Sequence, residues 1–588
     1  MSLANLVPQG GGPAWRWVVE RVWRLEHAFE RSRAAAKPED DTSIRIFFVL
    51  ALFTCAFMVL AIGATWAAVF SNPNKNSGYL AAMEGARGDL VDREGKLLAV
   101  DLTHYALYVD PKEVWDAKAT RAALGKALPQ VPGKRLDKAV FGERRAFLLG
   151  GLDPAQKDAI FNLGLPGVEF EDQARRVYPL GVSAAHFVGF VDGGGKGLAG
   201  AEGALNDDIH TAAAKGEGAA PIALSIDLRV QAALEDELRK AALEFGPKGA
   251  VGIVTNVHTG EILGLASYPD FDPNDPGKAS DDAKLNRAAA AVYEMGSTFK
   301  AFTVAIGLDT GVATPNSTFD AREPYKLGYR TIHDYHASRK ILNLVEVFQH
   351  SSNIGTARLA EGIGAQRLSQ YYAALGLTKP AKVELRESAR PLTPKKWDID
   401  AVASTSFGHG MNVSPLALAR AFSPLLNGGV MPPLTIRKLA PGVRPEGARV
   451  LSEETSQQML QIMRANVTGG SGKTADIKGL SVGGKTGTGE KYDPSISGYN
   501  HQRQVSSFAA VFPTEGPMEA DRYFVLILMD EPHGTPKTFG FSTGGWVAAP
   551  AAGRVIDRIA PFLGVQRRTD LLTIAGGQPK ATTPGAGL

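Results

Sequence analysis

The stretch IFFVLALFTCAFMVLAIGATWAAVF, from Ile46 to Phe70, carries no charged residue. At ~1.5 Å per residue a helix of this length crosses the ~30 Å hydrocarbon core of a bilayer with some tilt. A cleaved signal peptide has a shorter apolar region closer to the N-terminus; here a polar-rich segment, 1–45, comes first, which predicts an uncleaved single-pass anchor. Arg31, Arg33, Lys37 and Arg45 precede the span, and only Lys75 and Arg87 follow it closely. The positive-inside rule therefore places the N-terminus in the cytoplasm and everything after Phe70 outside. Trp15, Val18, Val19, Val22 and Trp23 share one face of a helical pattern over 13–33, with Arg16, Arg21, Arg24 and Arg31 supplying charge. That pattern suits either the inner membrane surface or a partner protein.

The tether excludes some functions and makes demands on the rest. Lys+Arg 64 against Asp+Glu 61 is near balance, without the basic excess of a nucleic-acid binder. The only cysteine, Cys55, lies inside the apolar span, so no intrachain disulfide can staple the part beyond the membrane. That part must be held by its core alone.

Two blocks follow. Residues 71–220 are expected to form a strand-rich, non-catalytic pedestal or dimerisation-type domain. GDLVDREGKLLAVD (88–101) has a hairpin pattern, HYALYVDP (104–111) that of a further short strand, and VDGGGKGLAGAEGALNDD (191–208) is glycine-rich and expected to be flexible. From 221 to 565 the pattern changes. Asp227 can cap a helix whose apolar positions are Val230, Leu234, Leu238, Ala241 and Phe245, and Gly246 can end it. AVGIVTNV (250–257) and EILGLAS (261–267) flank His-Thr-Gly as a hairpin; LSVGGKTGT (480–488), VSSFAAVF (505–512) and RYFVLILMD (522–530) are later strands, and 547–564 is a closing helix. The fold class expected is α/β: helices layered on a five-stranded, mostly antiparallel sheet, in an α+β arrangement. Residues 566–588 read as a disordered tail.

Within the second block, EMGSTFKAF places Ser297 and Lys300 one turn apart at the start of a predicted helix, on one face, so that the amine can reach the hydroxyl. Alone, such a four-residue pattern recurs by chance on solvated surfaces. QHSSNIGTARLA (349–360) adds Ser351 and Asn353 at a helix start, and GGKTGT (483–488) adds Lys485, Thr486, Gly487 and Thr488 on a strand whose glycines admit a ligand backbone. S-x-x-K, S-x-N and K-T-G, in this order, are a motif set found together in serine enzymes that react with β-lactams. GLSVGGKT (479–486) also fits a phosphate loop, but a glycine- and proline-rich turn rather than a helix follows it. HDYH (333–336) has two histidines without a clear third ligand and reads as an ordinary loop. FGHGMNVSP (407–415) is expected to shape a cleft wall, with no chemistry of its own. No metal and no cofactor is expected.

Positions 80–565 resemble a class B penicillin-binding protein, the monofunctional peptidoglycan D,D-transpeptidase family. Besides the three motifs, ARGDLVDREGKLLA (86–99), RVYPLGVSAAHFVGFV (176–191) and GHGMNVSPLALARAF (408–422) are similar to family stretches. The division-specific (septal) branch, of the penicillin-binding protein 3 type, fits best. Met295 stands where the family usually has proline, and Gly489 where it usually has alanine. The resemblance implies that Ser297 forms an acyl-enzyme on D-Ala-D-Ala stem peptides and on β-lactams. Lys300 would be the base, helped by partial burial and a nearby positive Lys485. Ser351 would relay the proton, Asn353 orient Lys300, and Lys485, Thr486, Gly487 and Thr488 hold the substrate carboxylate. The backbone N–H groups of Ser297 and Thr488 would form the oxyanion hole. The partners implied are a polytopic lipid II-polymerising glycosyltransferase, other division proteins and the inner membrane, with the catalytic domain periplasmic and no nucleic acid. An elongation-type transpeptidase, a membrane-anchored β-lactamase or β-lactam sensor and a non-enzymatic scaffold for wall synthesis are the competing classes. No Glu-x-x-Leu-Asn segment, which a class A β-lactamase uses to activate water, lies between Asn353 and Lys485.

Overall fold

The structure, a computed structural model, describes residues 23, 24, 27, 31, 49–61, 87–215, 220–493, 495 and 498–568. The expected N-terminal tail lies outside the described residues, except for 23, 24, 27 and 31, which are helical. Of the apolar span, 49–61 is helical; its flanks, residues 71–86 and the tail 569–588 also lie outside. Among the described residues no helix is long and apolar enough to cross a membrane.

The described residues from Arg87 onward belong to one compact unit. Its first sheet contains β1 (Leu90–Val91), β2 (Leu97–Val109), β3 (Ala146–Leu152), β4 (Val168–Val177) and β5 (Ile222–Ala223). The two strands expected near 97–101 and 104–111 are a single long one, β2, which pairs antiparallel with β1, β3 and β4. Its outer half packs Leu107 and Val109 into a small core with Leu124, Leu136, Leu148 and Ile160. β5 pairs parallel with β1 (Leu90 opposite Ile222), and Leu224 and Ile226 share a core with Leu90, Leu98 and Phe187. Packing therefore continues without a break past residue 220.

The glycine-rich segment expected to be flexible is folded. It contains the helices Gly200–Ala204 and Asn206–Ala213, and a Cβ on Gly197 would overlap Glu202 O. Here glycine serves close backbone approach. The segment delivers Glu202, fully buried, to Arg87 at 2.5 Å and to Arg176 at 2.6 Å; Arg176 also reaches Asp101 at 3.1 Å.

The second sheet has the order β8-β9-β10-β6-β7, where β6 is Gly249–Asn256, β7 Ile262–Tyr268, β8 Gly483–Asp493, β9 Gly498–Phe512 and β10 Tyr523–Asp530, all pairs antiparallel. β8 and β9 run beyond the expected strands: Lys491 pairs with Asn500 where a turn was expected after Thr488. Side-chain alternation sorts this sheet into two cores. On β10, Phe524, Leu526 and Leu528 enter one core, while Tyr523, Val525, Ile527 and Met529 enter the other. The second core is covered by α1 (Leu228–Phe245) and α6 (Ala548–Ile559). The first is covered by α2 (Lys300–Asp309), α4 (Pro415–Leu426) and α5 (Glu453–Gly469). The result is a helix–sheet–helix sandwich. α1 begins and ends as its residues dictate: Asp227 accepts from Arg229 N at 2.9 Å, and Gly246 takes the left-handed φ of 51°.

Candidate active site

Ser297 sits in a 3-10 turn, Gly296–Phe299, that leads into α2. The turn presses against β8, the edge strand of the second sheet. A Cβ on Gly487 would fall 2.6 Å from Met295 O, and one on Gly489 would overlap Glu294 O. This accounts for glycine at 489, where the family usually has alanine. Gly296 has φ 53°, and a side chain there would strike Thr488 O. Thr298 Oγ1 donates to Met295 O at 2.8 Å, and Phe299 lies edge-on to Phe302 and Tyr372. The nucleophile turn is thus wedged between strand and core, with Ser297 half-buried.

The amine of Lys300 is held toward Ser351 and Asn353. Lys300 Nζ donates to Asn353 Oδ1 at 2.7 Å, to Ser351 Oγ at 3.1 Å and to Ser351 O. In a 3-10 turn residues i and i+3 stand on one face, and Lys300 N closes the turn onto Ser297 O, so the two residues stay on the same side of it. Of Ser351 and Asn353, both expected at a helix start, only Asn353 lies within the helix. Asn353 begins α3 (Asn353–Ile363), capped by Ser352 Oγ on Gly355 N at 3.0 Å; Ser351 precedes it in a left-handed turn, φ 54°. A non-glycine residue held there is strained, and its carbonyl and hydroxyl both face Lys300. Lys485 Nζ donates to Ser351 Oγ at 3.0 Å and to Thr486 O at 3.1 Å. Thr486 Oγ1 lies 2.8 Å from Ser471 Oγ, and Thr488 Oγ1 accepts from Gly544 N at 3.2 Å. The structure therefore gathers Lys300, Ser351, Asn353 and Lys485 into one hydrogen-bonded group, with the Ser297 turn against Gly487–Gly489.

Both lysines are 0% exposed. Burial lowers Lys300 to about 7, with Asp334 opposing. Burial, and then the charge of Lys300, hold Lys485 well below its ordinary value. Burial, expected to be partial, is complete and is the largest cause at both lysines, while the two amines disfavour each other's charge across Ser351 Oγ.

Several contributors escaped the motifs. His333 O accepts from Asn353 Nδ2 at 2.9 Å, which turns Asn353 Oδ1 toward Lys300. Asp334 accepts from Ser352 Oγ at 2.8 Å and from Ile354 N at 3.0 Å, and so caps α3. The HDYH segment is thus a loop that orients the site. Gly408 O accepts from Gly296 N at 3.3 Å, placing 407–415 directly against the nucleophile turn. Asn466 Nδ2 donates to Gly484 O at 2.8 Å and pins β8 from behind. The one local hint of these roles was the acidic residue in HDYH, a helix-capping type.

A serine on a wedged turn, a buried lysine lowered to about 7 and a second hydroxyl shared by two amines are brought together in a helix–sheet–helix sandwich. Residues 250–557 match the penicillin binding protein transpeptidase domain, and residues 82–196 the penicillin-binding protein dimerisation domain. The chain belongs to the penicillin-binding protein family of peptidoglycan D,D-transpeptidases. It is 76% identical, over 100% of both chains, to the probable peptidoglycan D,D-transpeptidase FtsI of Caulobacter vibrioides. It is 30% identical to the peptidoglycan D,D-transpeptidase FtsI of Escherichia coli, covering 82% of this chain and 84% of that one. Penicillin binding protein 3 of Mycobacterium tuberculosis, solved with aztreonam, superposes with a TM-score of 0.64 at 23% identity, over 83% of this chain and 98% of that one.

Proposed function

We propose that this chain is a septal peptidoglycan D,D-transpeptidase that cross-links stem peptides through a Ser297 acyl-enzyme and is inhibited by β-lactams. The observation that carries the assignment of roles is the shared hydroxyl: Ser351 Oγ lies 3.1 Å from Lys300 Nζ and 3.0 Å from Lys485 Nζ. With Lys300 lowered to about 7, a substantial fraction of its amine is neutral at neutral pH and can take the Ser297 proton. Ser297 Oγ then bonds to the penultimate D-alanine carbonyl carbon. The oxyanion faces the N–H groups of Ser297 and Thr488. Collapse breaks the peptide bond, and the terminal D-alanine leaves as an amine, protonated through Ser351. A stem-peptide amine from a neighbouring strand next attacks the ester and restores the Ser297 hydroxyl. Lys485, sealed from solvent, supplies charge to the substrate carboxylate beside Thr486, Gly487 and Thr488.

The same reading assigns 1–45 to a cytoplasmic tail, 46–70 to an inner-membrane anchor, 71–220 to the pedestal, 221–565 to the periplasmic transpeptidase domain and 566–588 to a tail. Partners follow from the family: a polytopic lipid II-polymerising glycosyltransferase and other division proteins.

The test uses the full chain in detergent, pulsed with penicillin and followed by intact mass. One adduct on Ser297 that persists for many minutes is expected, and none in Ser297→Ala. Rapid return to the unmodified mass with multiple turnovers of drug would replace the transpeptidase with a β-lactamase, and no adduct at all would leave a scaffold.

A further inference from the structure

Glu294 belongs to none of the three motifs, yet it lies three residues before Ser297 and touches β8, β9 and the 407–415 segment. Its Oε1 accepts the backbone N–H of Gly410 at 3.0 Å and the hydroxyl of Tyr499 at 3.1 Å. Its main-chain oxygen faces Gly489 of β8 so closely that only glycine fits there. On one side of it, Tyr293 and Val413 exchange backbone hydrogen bonds at 3.0 Å; on the other, Gly296 N reaches Gly408 O at 3.3 Å. The backbone is thus tied to the 407–415 segment before and after Glu294, and the Glu294 side chain adds a third tie that also captures β9 through Tyr499.

The second carboxylate oxygen has a different environment. Glu294 Oε2 is buried with no partner among the described residues. A buried unsatisfied oxygen is destabilising, so a carboxylate here needs a reason other than stability. Burial, and then Glu490, hold this carboxyl above its ordinary range against the donors at Gly410 and Tyr499. An acceptor oxygen at this point matters more than a negative charge.

We propose that Glu294 is a positioning residue for Ser297: through Gly410 and Tyr499 its carboxyl sets the orientation of the turn that presents the nucleophile and its own N–H. The inference rests on Ser297 being the acylated residue. Acyl transfer needs the attacking oxygen aligned as well as near, and a displacement of about 1 Å lowers rates by about 10²-fold.

Saturation kinetics of penicillin acylation on the full chain in detergent test it, separating the maximal rate from the half-saturating concentration. Glu294→Ala should lower the maximal rate by about 10²-fold with the half-saturating concentration nearly unchanged. Glu294→Gln keeps the Oε1 acceptor and should recover most of that loss. Tyr499→Phe, which removes one donor and little else, should cost about 3- to 10-fold in the same maximal rate. The proposal is overturned if the alanine variant acylates at the parental rate, if its loss lies only in the half-saturating concentration, or if glutamine is as slow as alanine. Should the alanine variant not fold, a parental rate in Tyr499→Phe overturns it equally. Peptide mapping of the parent separates the two levels: an adduct elsewhere than Ser297 sinks the functional reading and this inference together.

Discussion

Arg87 and Lys300 are both cations sealed from solvent, and their surroundings answer that burial in opposite ways. Arg87 and Arg176 close on Glu202 at 2.5 and 2.6 Å, with Asp101 completing the cluster. Burial pulls Arg176 down, but Glu202 and Asp101 outweigh it and leave the guanidinium above its ordinary value. In the active site the hydrogen-bond acceptors of Lys300 and Lys485 are neutral oxygens of Ser351, Asn353 and Thr486, and both amines are pushed toward losing their protons. Burial with a counter-charge gives a fixed ion and a structural joint. Burial among neutral acceptors, with Asp334 too weak to offset it, gives a titratable base, at a cost in stability.

The sharpest way to break that contrast is Lys300→Met. Acylation should fall by about 10⁴-fold, the upper range for loss of a general base. The folded chain should be stabilised at the same time. Lys300 titrates at about 7 folded against 10.5 unfolded, a difference of about 3.5 units or about 5 kcal/mol, less the hydrogen bonds removed. The unfolded state binds the extra proton between those values, so parental stability rises with pH from 7 to 10.5. The gain from methionine should therefore be largest below pH 7 and fade toward 10.5. Melting curves at pH 6 and pH 9 check this, and an equal gain at both would remove the desolvated-base account.

Glu202→Gln tests the other cluster. It leaves two buried guanidiniums short of a charge and should destabilise the chain by about 3–5 kcal/mol in denaturant titration. Acylation per folded molecule should stay unchanged. A loss below about 1 kcal/mol would mean that the cluster is no joint.

The smallest effect sharpens the comparison within the parent chain. Because Lys300 must be neutral to accept a proton, acylation should fall about tenfold per pH unit below 7 and level off above it. A flat profile between pH 5 and 8 would assign the base elsewhere.

What could be foreseen from the residues follows the range of the interaction involved. The cap at Asp227, the stop at Gly246 and the apolar runs of β6 and β10 are local signals, and the chain folds as they say. The three motifs were legible because their residue types are rarely combined without chemistry. Asp334 and Glu294 were not, since their meaning comes from partners 20 and 116 residues away. β2 was divided in the sequence because its middle, around Leu102 and Thr103, is exposed and breaks the apolar alternation. β8 and β9 continue past Thr488 through polar residues and glycine, where pairing between strands overrides weak propensity. The bonds of Lys300 to Ser351 and Asn353 join residues 51 and 53 positions apart, a contact that the spacing of Ser297 and Lys300 does not reveal.

The parallel pairing of Ile222–Ala223 with Leu90–Val91 brings together two points far apart in the chain: Ile222 N donates to Asp89 O at 2.9 Å and Leu224 N to Val91 O at 2.8 Å. Nearly everything between them is an excursion that returns to where it left. An excursion with abutting ends can be lengthened, trimmed or exchanged with little disturbance at its base, since closure entropy grows only logarithmically, by about 0.6 kcal/mol per doubling of length. The outer half of β2, with its own core around Leu107 and Leu148, is the part of the molecule best placed to vary in size between related chains while the chemistry at Ser297 stays put.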